Sequence, residues 1–129
     1  MNLNQVTIGS TDLARSERFY AALGLRLIVR DEHYLRFECP EGGSTFSVEL
    51  VDGWAGAEAV TIYFETDRID AEHARLAASG VVFDHEPADM PWLWREARLR
   101  DPDGHHLCLY HAGVNRKNPP WRIDGPVDT

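Results

Sequence analysis

The strongest constraint on the fold of this chain is an internal repeat. Residues 3–24 are typical of a β-strand followed by a helix that ends at Gly24, and residues 60–80 show the same order with Gly80 at the end. A shift of 56 residues places Gly24 on Gly80 and keeps the apolar positions of the two helices in frame. The sequence therefore predicts one supersecondary unit that is used twice.

Three strand-like runs follow each predicted helix. They lie at residues 25–30, 34–38, 45–51, 81–85, 93–100 and 106–111. The last two are joined by Asp101-Pro-Asp-Gly104, a hairpin turn with proline and glycine at favoured positions. The predicted fold is α+β, with βαβββ occurring twice in one domain. Its parts are a first module at 1–53, a linker at 54–58, a second module at 59–112 and a C-terminal tail at 113–129.

Composition and charge exclude several classes of protein. With 43% hydrophobic and 26% charged residues, the chain is typical of a globular domain, and no apolar run approaches the roughly 18 residues of a membrane span. The N-terminus lacks a signal-like apolar core, so a cytoplasmic location is expected. A net charge of −8, with the only basic cluster at residues 115–118, argues against nucleic acid as a partner. Cys39 and Cys108 lack metal-ligand spacing and are expected to be free thiols.

One set of residues in the first strand, the first helix and the last turn is typical of a known superfamily. The set is Val6, Ile8, Asp12, Leu13, Ser16, Phe19, Tyr20, Leu23, Gly24 and Asp101-Pro-Asp-Gly104. It resembles the vicinal oxygen chelate superfamily, which includes glyoxalase I, extradiol dioxygenases and bleomycin resistance proteins. The resemblance covers residues 1 to about 112. It implies that the tandem modules form a curved, cup-shaped mixed sheet around a ligand, and that the protein is a homodimer.

Strand alternation predicts which side chains face the inside of such a cup. The apolar positions of the first, fourth, fifth and eighth strands pack on helices, which leaves the opposite positions for a ligand. These predicted ligand-binding residues are Gln5, Thr7, Ser47, Thr61, Tyr63, His106, Cys108 and Tyr110, with Glu49 as the catalytic candidate. Trp92 and Trp94 flank Leu93, so alternation predicts that both lie on one face as a wall or lid. Glu65 is expected nearer the rim, where it matters less.

The resemblance also implies where a metal would bind. Metal-dependent members carry one ligand on each of these four strands, and the matching positions are Gln5, Glu49, Thr61 and Cys108. A threonine hydroxyl is a poor ligand, and one thiolate with one carboxylate and one amide does not suit a hard divalent ion. No metal or other cofactor is therefore expected. If a metal is present, its predicted ligands are Gln5, Glu49, His106 and Cys108, since thiolate and imidazole suit zinc.

Two classes of function follow from these residues. The first is a metal-free small-molecule-binding protein with an acidic, aromatic cup. Because no lysine or arginine shares the inward positions of the four strands, its ligand is expected to be neutral or cationic and partly aromatic. The expectation fails if the other strands turn Arg26, Arg30, Arg98 or Arg100 into the cup. The alternative is a lyase, isomerase or dioxygenase of the same superfamily that uses Glu49 as a metal ligand or as a partly buried base. Glu49 can equally serve only to hold the cup together by hydrogen bonds.

Overall fold

The repeat in the sequence corresponds to two copies of one βαβββ unit in the structure. The computed structural model describes residues 2–53, 58 and 60–124, and these residues form eight β-strands and two α-helices. In chain order the elements are β1 Gln5–Ser10, α1 Leu13–Leu23, β2 Arg26–Arg30, β3 Tyr34–Glu38, β4 Thr45–Leu50, β5 Thr61–Glu65, α2 Ile69–Ala78, β6 Ala88–Asp89, β7 Arg95–Arg100 and β8 His106–His111. A short 3-10 helix, Gly113–Arg116, follows β8. The predicted tandem α+β fold is confirmed.

The two repeats form sheets with the same strand order. The first sheet has the order β1-β4-β3-β2 and the second has the order β5-β8-β7-β6. In the first sheet β1 pairs parallel with β4, whereas β3 pairs antiparallel with β2 and with β4. The chain divides into two compact units, Met1–Val60 with Arg100–His106, and Thr61–Leu99 with Leu107–Thr129. Most of the predicted linker and residues 125–129 of the predicted tail lie outside the described residues, so the module boundaries stay a prediction.

Local sequence explains where α1 begins and ends. The Asp12 carboxylate accepts a hydrogen bond from the backbone N–H of Arg15 at 3.1 Å, which satisfies a free donor of the first turn. Gly24 ends the helix with a φ of 104°, a left-handed conformation that glycine adopts without steric cost. Neither α1 nor any other helix in the described residues is long and apolar enough to cross a membrane.

Tyr20 connects the core of the first unit to the turn before β8. Its buried ring packs against Phe46 of β4 with ring centroids 4.7 Å apart. Its hydroxyl donates a 2.7 Å hydrogen bond to Oδ2 of Asp101. Oδ1 of Asp101 accepts the backbone N–H groups of Asp103 and His105, each at 2.9 Å. The turn that belongs to the second repeat in sequence is therefore part of the first unit in space.

The second unit departs from the predicted strands between α2 and β7. The strand predicted at residues 81–85 is wrong, because Phe83 makes a single antiparallel bridge to β7 and the two-residue strand β6 lies later, at Ala88–Asp89. The predicted start of β7 at residue 93 is also wrong. A turn precedes the strand, with a 2.9 Å hydrogen bond from the Leu93 N–H to the Met90 carbonyl and a positive φ of 67° at Leu93.

Candidate functional site

A polar network lies on the face of the first sheet opposite its core. Gln5 Nε2 donates to Ser47 Oγ at 2.8 Å and to Thr7 Oγ1 at 3.2 Å. Ser47 is fully buried, and so are its neighbours Phe46 and Val48, which lie in the core on the other face. The structure thus brings Gln5, Thr7 and Ser47 together in the way that strand alternation predicts. Their role in ligand binding stays a prediction.

Two residues of β3 extend this network and were not predicted. The Tyr34 hydroxyl forms a short hydrogen bond with Ser47 Oγ, and Arg36 Nε donates to the same hydroxyl at 3.0 Å. The hydrogen bond with Ser47, helped by the Arg36 charge, lowers the pKa of Tyr34. A signal was available, because Leu35 and Phe37 are the buried positions of β3 and alternation then places Tyr34 and Arg36 on the other face.

Glu49, the predicted catalytic residue, lies at the exposed end of β4. Positions 46–48 of this strand are buried, whereas Glu49 and Leu50 are exposed. In the pairing of β3 with β4, Glu49 is opposite Tyr34. The partial burial that was expected for Glu49 is therefore wrong for this chain, because the strand leaves the buried part of the sheet one residue earlier. Its role as a base or ligand stays a prediction.

An aromatic cluster lies on the second sheet. Trp94 stacks on Tyr110 with ring centroids 4.7 Å apart and planes inclined by 26°. Tyr63 meets Trp94 and Tyr110 edge-on, at 5.9 Å and 5.5 Å. Trp94 also packs against the buried cluster around Cys108, and its Nε1 donates to the Asn115 carbonyl at 3.2 Å. Because Tyr63 stays 42% exposed, the cluster presents aromatic surface to solvent.

A buried carboxylate, Glu96 of β7, lies beside this aromatic cluster. Its residue surface is only 1% exposed. Arg98 Nη2 donates to Glu96 Oε1 at 3.0 Å and to the Tyr63 hydroxyl at 3.2 Å. Trp92 Nε1 donates to Glu96 Oε2 at 2.6 Å. The carboxylate is thus hydrogen-bonded on both oxygens, as a buried charge requires.

Glu96 was not predicted as a site residue, because β7 is not one of the four strands that carry ligands in the family. Arg98 was named only as a residue that β7 could turn into the cup. The signal was present in β7, where Ala97 and Leu99 are the buried apolar positions and Glu96 and Arg98 alternate with them. Trp92 lies in the turn before β7, so strand alternation does not set the direction of its side chain. That Trp92 and Trp94 form one wall or lid stays a prediction.

Cys108 is a buried thiol in the same unit. Burial in the first place, and then the charge of Glu96, raises the pKa of Cys108 to about 12. A thiol with such a pKa is protonated at neutral pH and behaves as a small apolar residue.

His106, the first residue of β8, pairs with an acidic residue. Its Nε2 lies 2.9 Å from Oε2 of Glu58. Arg100 Nη1 lies 3.7 Å from the other oxygen of Glu58. The hydrogen bond with His106 lowers the pKa of Glu58, whose side chain is exposed. Thr61, also predicted as a site residue, is the half-buried first residue of β5.

Glu65, at the end of β5, binds backbone groups that follow β8. Its Oε2 accepts the backbone N–H groups of Ala112 and Gly113, at 2.9 Å and 3.0 Å. Arg116 lies 3.7 Å from its other oxygen. These contacts fix the start of the C-terminal tail.

The two sheets have the same strand order, so the protein consists of two βαβββ modules in tandem. The family model of the Glyoxalase/Bleomycin resistance protein/Dioxygenase superfamily matches residues 2–109. The chain belongs to this superfamily, and the resemblance seen in its sequence is confirmed.

Solved structures of the superfamily are similar to this chain in fold. A glyoxalase/bleomycin resistance protein/dioxygenase from Nocardioides has a TM-score of 0.73 and 23% identity, with 87% of this chain and 83% of that chain covered. A bleomycin-binding protein complexed with bleomycin has a TM-score of 0.72 and 19% identity, with 86% and 98% covered. A lactoylglutathione lyase from Agrobacterium tumefaciens has a TM-score of 0.71 and 19% identity, with 85% and 92% covered. No curated protein matches the chain.

The residues at the four metal-ligand positions of the family do not fit a hard divalent ion. Gln5 and Thr61 offer only neutral oxygens, and Cys108 is a buried thiol. Glu49 is the single carboxylate among the four. Among the residues that the structure describes, no three His, Cys, Asp or Glu side chains are grouped so that they could hold a metal ion. With one carboxylate, two neutral oxygens and one sulfur, the four positions do not offer the charged oxygen ligands that such an ion prefers.

Proposed function

We propose that this protein binds a small, flat, partly aromatic molecule on the face of the second sheet that carries Tyr63, Trp94 and Tyr110. The aromatic cluster carries the proposal, since Trp94 and Tyr110 are stacked while Tyr63 and nearby Trp92 are each 42% exposed. Ligand sites commonly combine apolar walls with a few buried polar groups, as here with Glu96. A ligand stacked on this face would cover the exposed aromatic surface.

The charges on this face favour an uncharged ligand. Arg98 pairs with Glu96 at 3.0 Å, and Arg116 lies 3.7 Å from Glu65. These two acidic side chains thus have basic partners, which come from β7 and from the tail. Since these carboxylates are already paired with arginines, they do not favour a cationic ligand. We therefore expect a neutral, partly aromatic ligand rather than a neutral or cationic one.

The structural neighbours support a binding function as a class. One of them was crystallised with bleomycin, so a small molecule binds to a protein of this fold. At 19% identity the likeness concerns the fold, and the ligand of the present protein must be inferred from its own side chains.

Neutral aromatic compounds should raise the melting temperature of the protein more than anionic ones in a thermal-shift screen, because a ligand that binds only the folded state stabilises it. For the best compound, Tyr63→Ala should raise the Kd about fivefold, since the aromatic contact of one ring contributes about 1 kcal/mol. Isothermal titration calorimetry measures this change.

Phe83→Leu is the matched control for the Tyr63 variant. The Phe83 ring packs against His73 of α2, with ring centroids 4.4 Å apart, and so lies on the side of the sheet that the helix covers. This variant should keep the Kd of the unmodified protein. Stabilisation mainly by carboxylates or phosphates, or an equal loss of affinity in both variants, would contradict the proposed site.

We propose that binding needs neither a metal nor another cofactor. The chemistry of Thr61 and Cys108 supports this, because a neutral hydroxyl and a protonated thiol are poor ligands for a hard cation. The alternative of a lyase, isomerase or dioxygenase rests on Glu49. An exposed carboxylate keeps its hydration, so burial does not prepare Glu49 for base catalysis.

We also propose that the protein is a homodimer. The last strand of the first sheet, β2, exposes Ile28 by 46% and Val29 by 37%, next to an irregularity in its pairing with β3. Apolar side chains on an edge strand favour association of two copies.

Sedimentation at micromolar concentration should give the mass of two chains, and Ile28→Glu should shift the protein to the mass of one. Val82→Glu is the control, since Val82 is 82% exposed and lies outside the strands. The dimer proposal is wrong if the unmodified protein has the mass of one chain and deletion of residues 115–129 does not change this state.

A further inference from the structure

The two oxygens of the buried Glu96 carboxylate are held in different ways. Arg98, two residues along the same strand, donates to Oε1 from Nε at 3.2 Å and from Nη2 at 3.0 Å. Such a pairing is needed because an unpaired buried carboxylate is strongly unfavourable. This half of the carboxylate is therefore satisfied by the sheet itself.

The other oxygen depends on a side chain from the surface. Oε2 accepts the indole N–H of Trp92 at 2.6 Å. Trp92 is not part of β7, and its side chain is substantially exposed. A flat aromatic ring with an N–H group at its edge thus occupies Oε2 from the solvent side.

The turn that carries Trp92 contains a residue in an uncommon backbone conformation. Leu93 has a φ of 67°, in the left-handed region that leucine rarely adopts. The leucine side chain is itself exposed, so burial of this side chain does not offset the strain. A hydrogen bond from the Met90 N–H to the Trp94 carbonyl, at 2.8 Å, closes the turn. Strained turns of this kind are concentrated at ligand sites and at segments that move.

We propose that Trp92 is an internal substitute for the ligand. Without a ligand, the indole N–H of Trp92 donates to Oε2 of Glu96. In the complex, Oε2 instead accepts a hydrogen bond from an N–H group at the edge of a heteroaromatic ligand, and Trp92 turns out to solvent. The inference rests on the ligand site proposed above and adds the chemical class of the ligand. That class is a planar heteroaromatic molecule with a ring N–H or an amino group at its edge. A ligand whose edge carries only acceptors would leave Oε2 without a donor.

Indole and 1-methylindole test this proposal, because they have nearly the same ring system and differ in the N–H donor. In the unmodified protein Trp92 competes for Oε2, so the Kd values of the two probes should agree within about twofold. In Trp92→Ala the acceptor is free, and indole should bind about tenfold more tightly than 1-methylindole, as expected for a hydrogen bond to a charged acceptor. Equilibrium dialysis or calorimetry gives both constants.

A second measurement detects the movement of Trp92 without a variant. Saturating indole should shift the Nε1–H resonance of Trp92 in a ¹H–¹⁵N spectrum and speed its exchange with solvent, because the bond to Glu96 is broken in the complex. 1-Methylindole should leave this resonance in place. The Nε1–H resonance of Trp92 is assigned as the indole signal that is absent from the spectrum of Trp92→Ala. The remaining resonances of that variant report whether the fold is retained.

The outcomes separate this inference from the proposed function. If both probes bind Trp92→Ala with equal affinity and Tyr63→Ala weakens both, the ligand site stands and the role of Trp92 is wrong. If neither probe binds the unmodified protein or Trp92→Ala, and no neutral aromatic compound does so in the thermal-shift screen, both proposals are wrong.

Discussion

Asp101→Ala should lower the free energy of unfolding by about 3–5 kcal/mol. The carboxylate is buried, and it accepts the Tyr20 hydroxyl at 2.7 Å and the backbone N–H groups of Asp103 and His105 at 2.9 Å. Alanine leaves all three donors without this acceptor, and each unsatisfied buried donor costs about 1–3 kcal/mol. Urea denaturation followed by circular dichroism measures the change.

Asp31→Ala is the matched control for this variant. Asp31 is an exposed aspartate in a turn and accepts one backbone N–H, that of His33, at 2.8 Å. Water can replace its contact, so the loss should stay below about 1 kcal/mol. A comparably small loss in Asp101→Ala would show that the turn before β8 does not support the core of the first unit.

Cys108 should react with iodoacetamide at pH 8 roughly a thousandfold more slowly in the native protein than in the urea-unfolded protein. Burial and the Glu96 charge raise the pKa of the Cys108 thiol to about 12, well above the value of a free cysteine, so the reactive thiolate is scarce. Mass spectrometry of labelled peptides gives the rate at each cysteine. Cys39, which is only partly buried, should be labelled first and serves as the internal control.

Rapid labelling of Cys108 in the native protein would contradict the buried position of its thiol.

Elemental analysis of the purified protein tests the proposed absence of a metal. The metal-free proposal is wrong if the protein contains about one equivalent of a transition metal per chain and Glu49→Ala loses it. That result would favour the alternative of a metal-dependent enzyme.

The topology of the protein could be predicted because its signals are local and occur twice. A capped helix that ends at Gly24 and a second that ends near Gly80 fix the frame of the repeat, and each glycine has the positive φ that its position requires. β8 was predicted with its observed bounds, His106–His111, since apolar residues alternate in it and a turn sequence precedes it.

The failures lie where tertiary contacts override the local pattern. Residues 81–85 have the composition of a strand, but only Phe83 bridges to β7. Trp92 was assigned to a strand because the sequence does not reveal the left-handed Leu93 that forms the turn. Glu96 was missed for a different reason, since its burial depends on donors from a strand and from a turn whose positions are set by the fold.

The residues that identify the superfamily in this chain act mainly in the architecture. Asp12 caps α1, Tyr20 lies in the core, and Asp101 accepts its hydroxyl. The groups proposed to bind the ligand, Tyr63 and Glu96, are absent from that fingerprint. This explains why the sequence predicts the fold more fully than the function.

The segment Arg100–His106, which lies in the second repeat but belongs to the first unit, limits where the chain can be divided. A gene fragment for the first repeat alone would encode Tyr20 without the aspartate that accepts its hydroxyl. The boundary between the repeats in sequence is therefore not a boundary between self-sufficient parts, and a cut at the linker would leave the first repeat with a buried hydroxyl that has lost its acceptor.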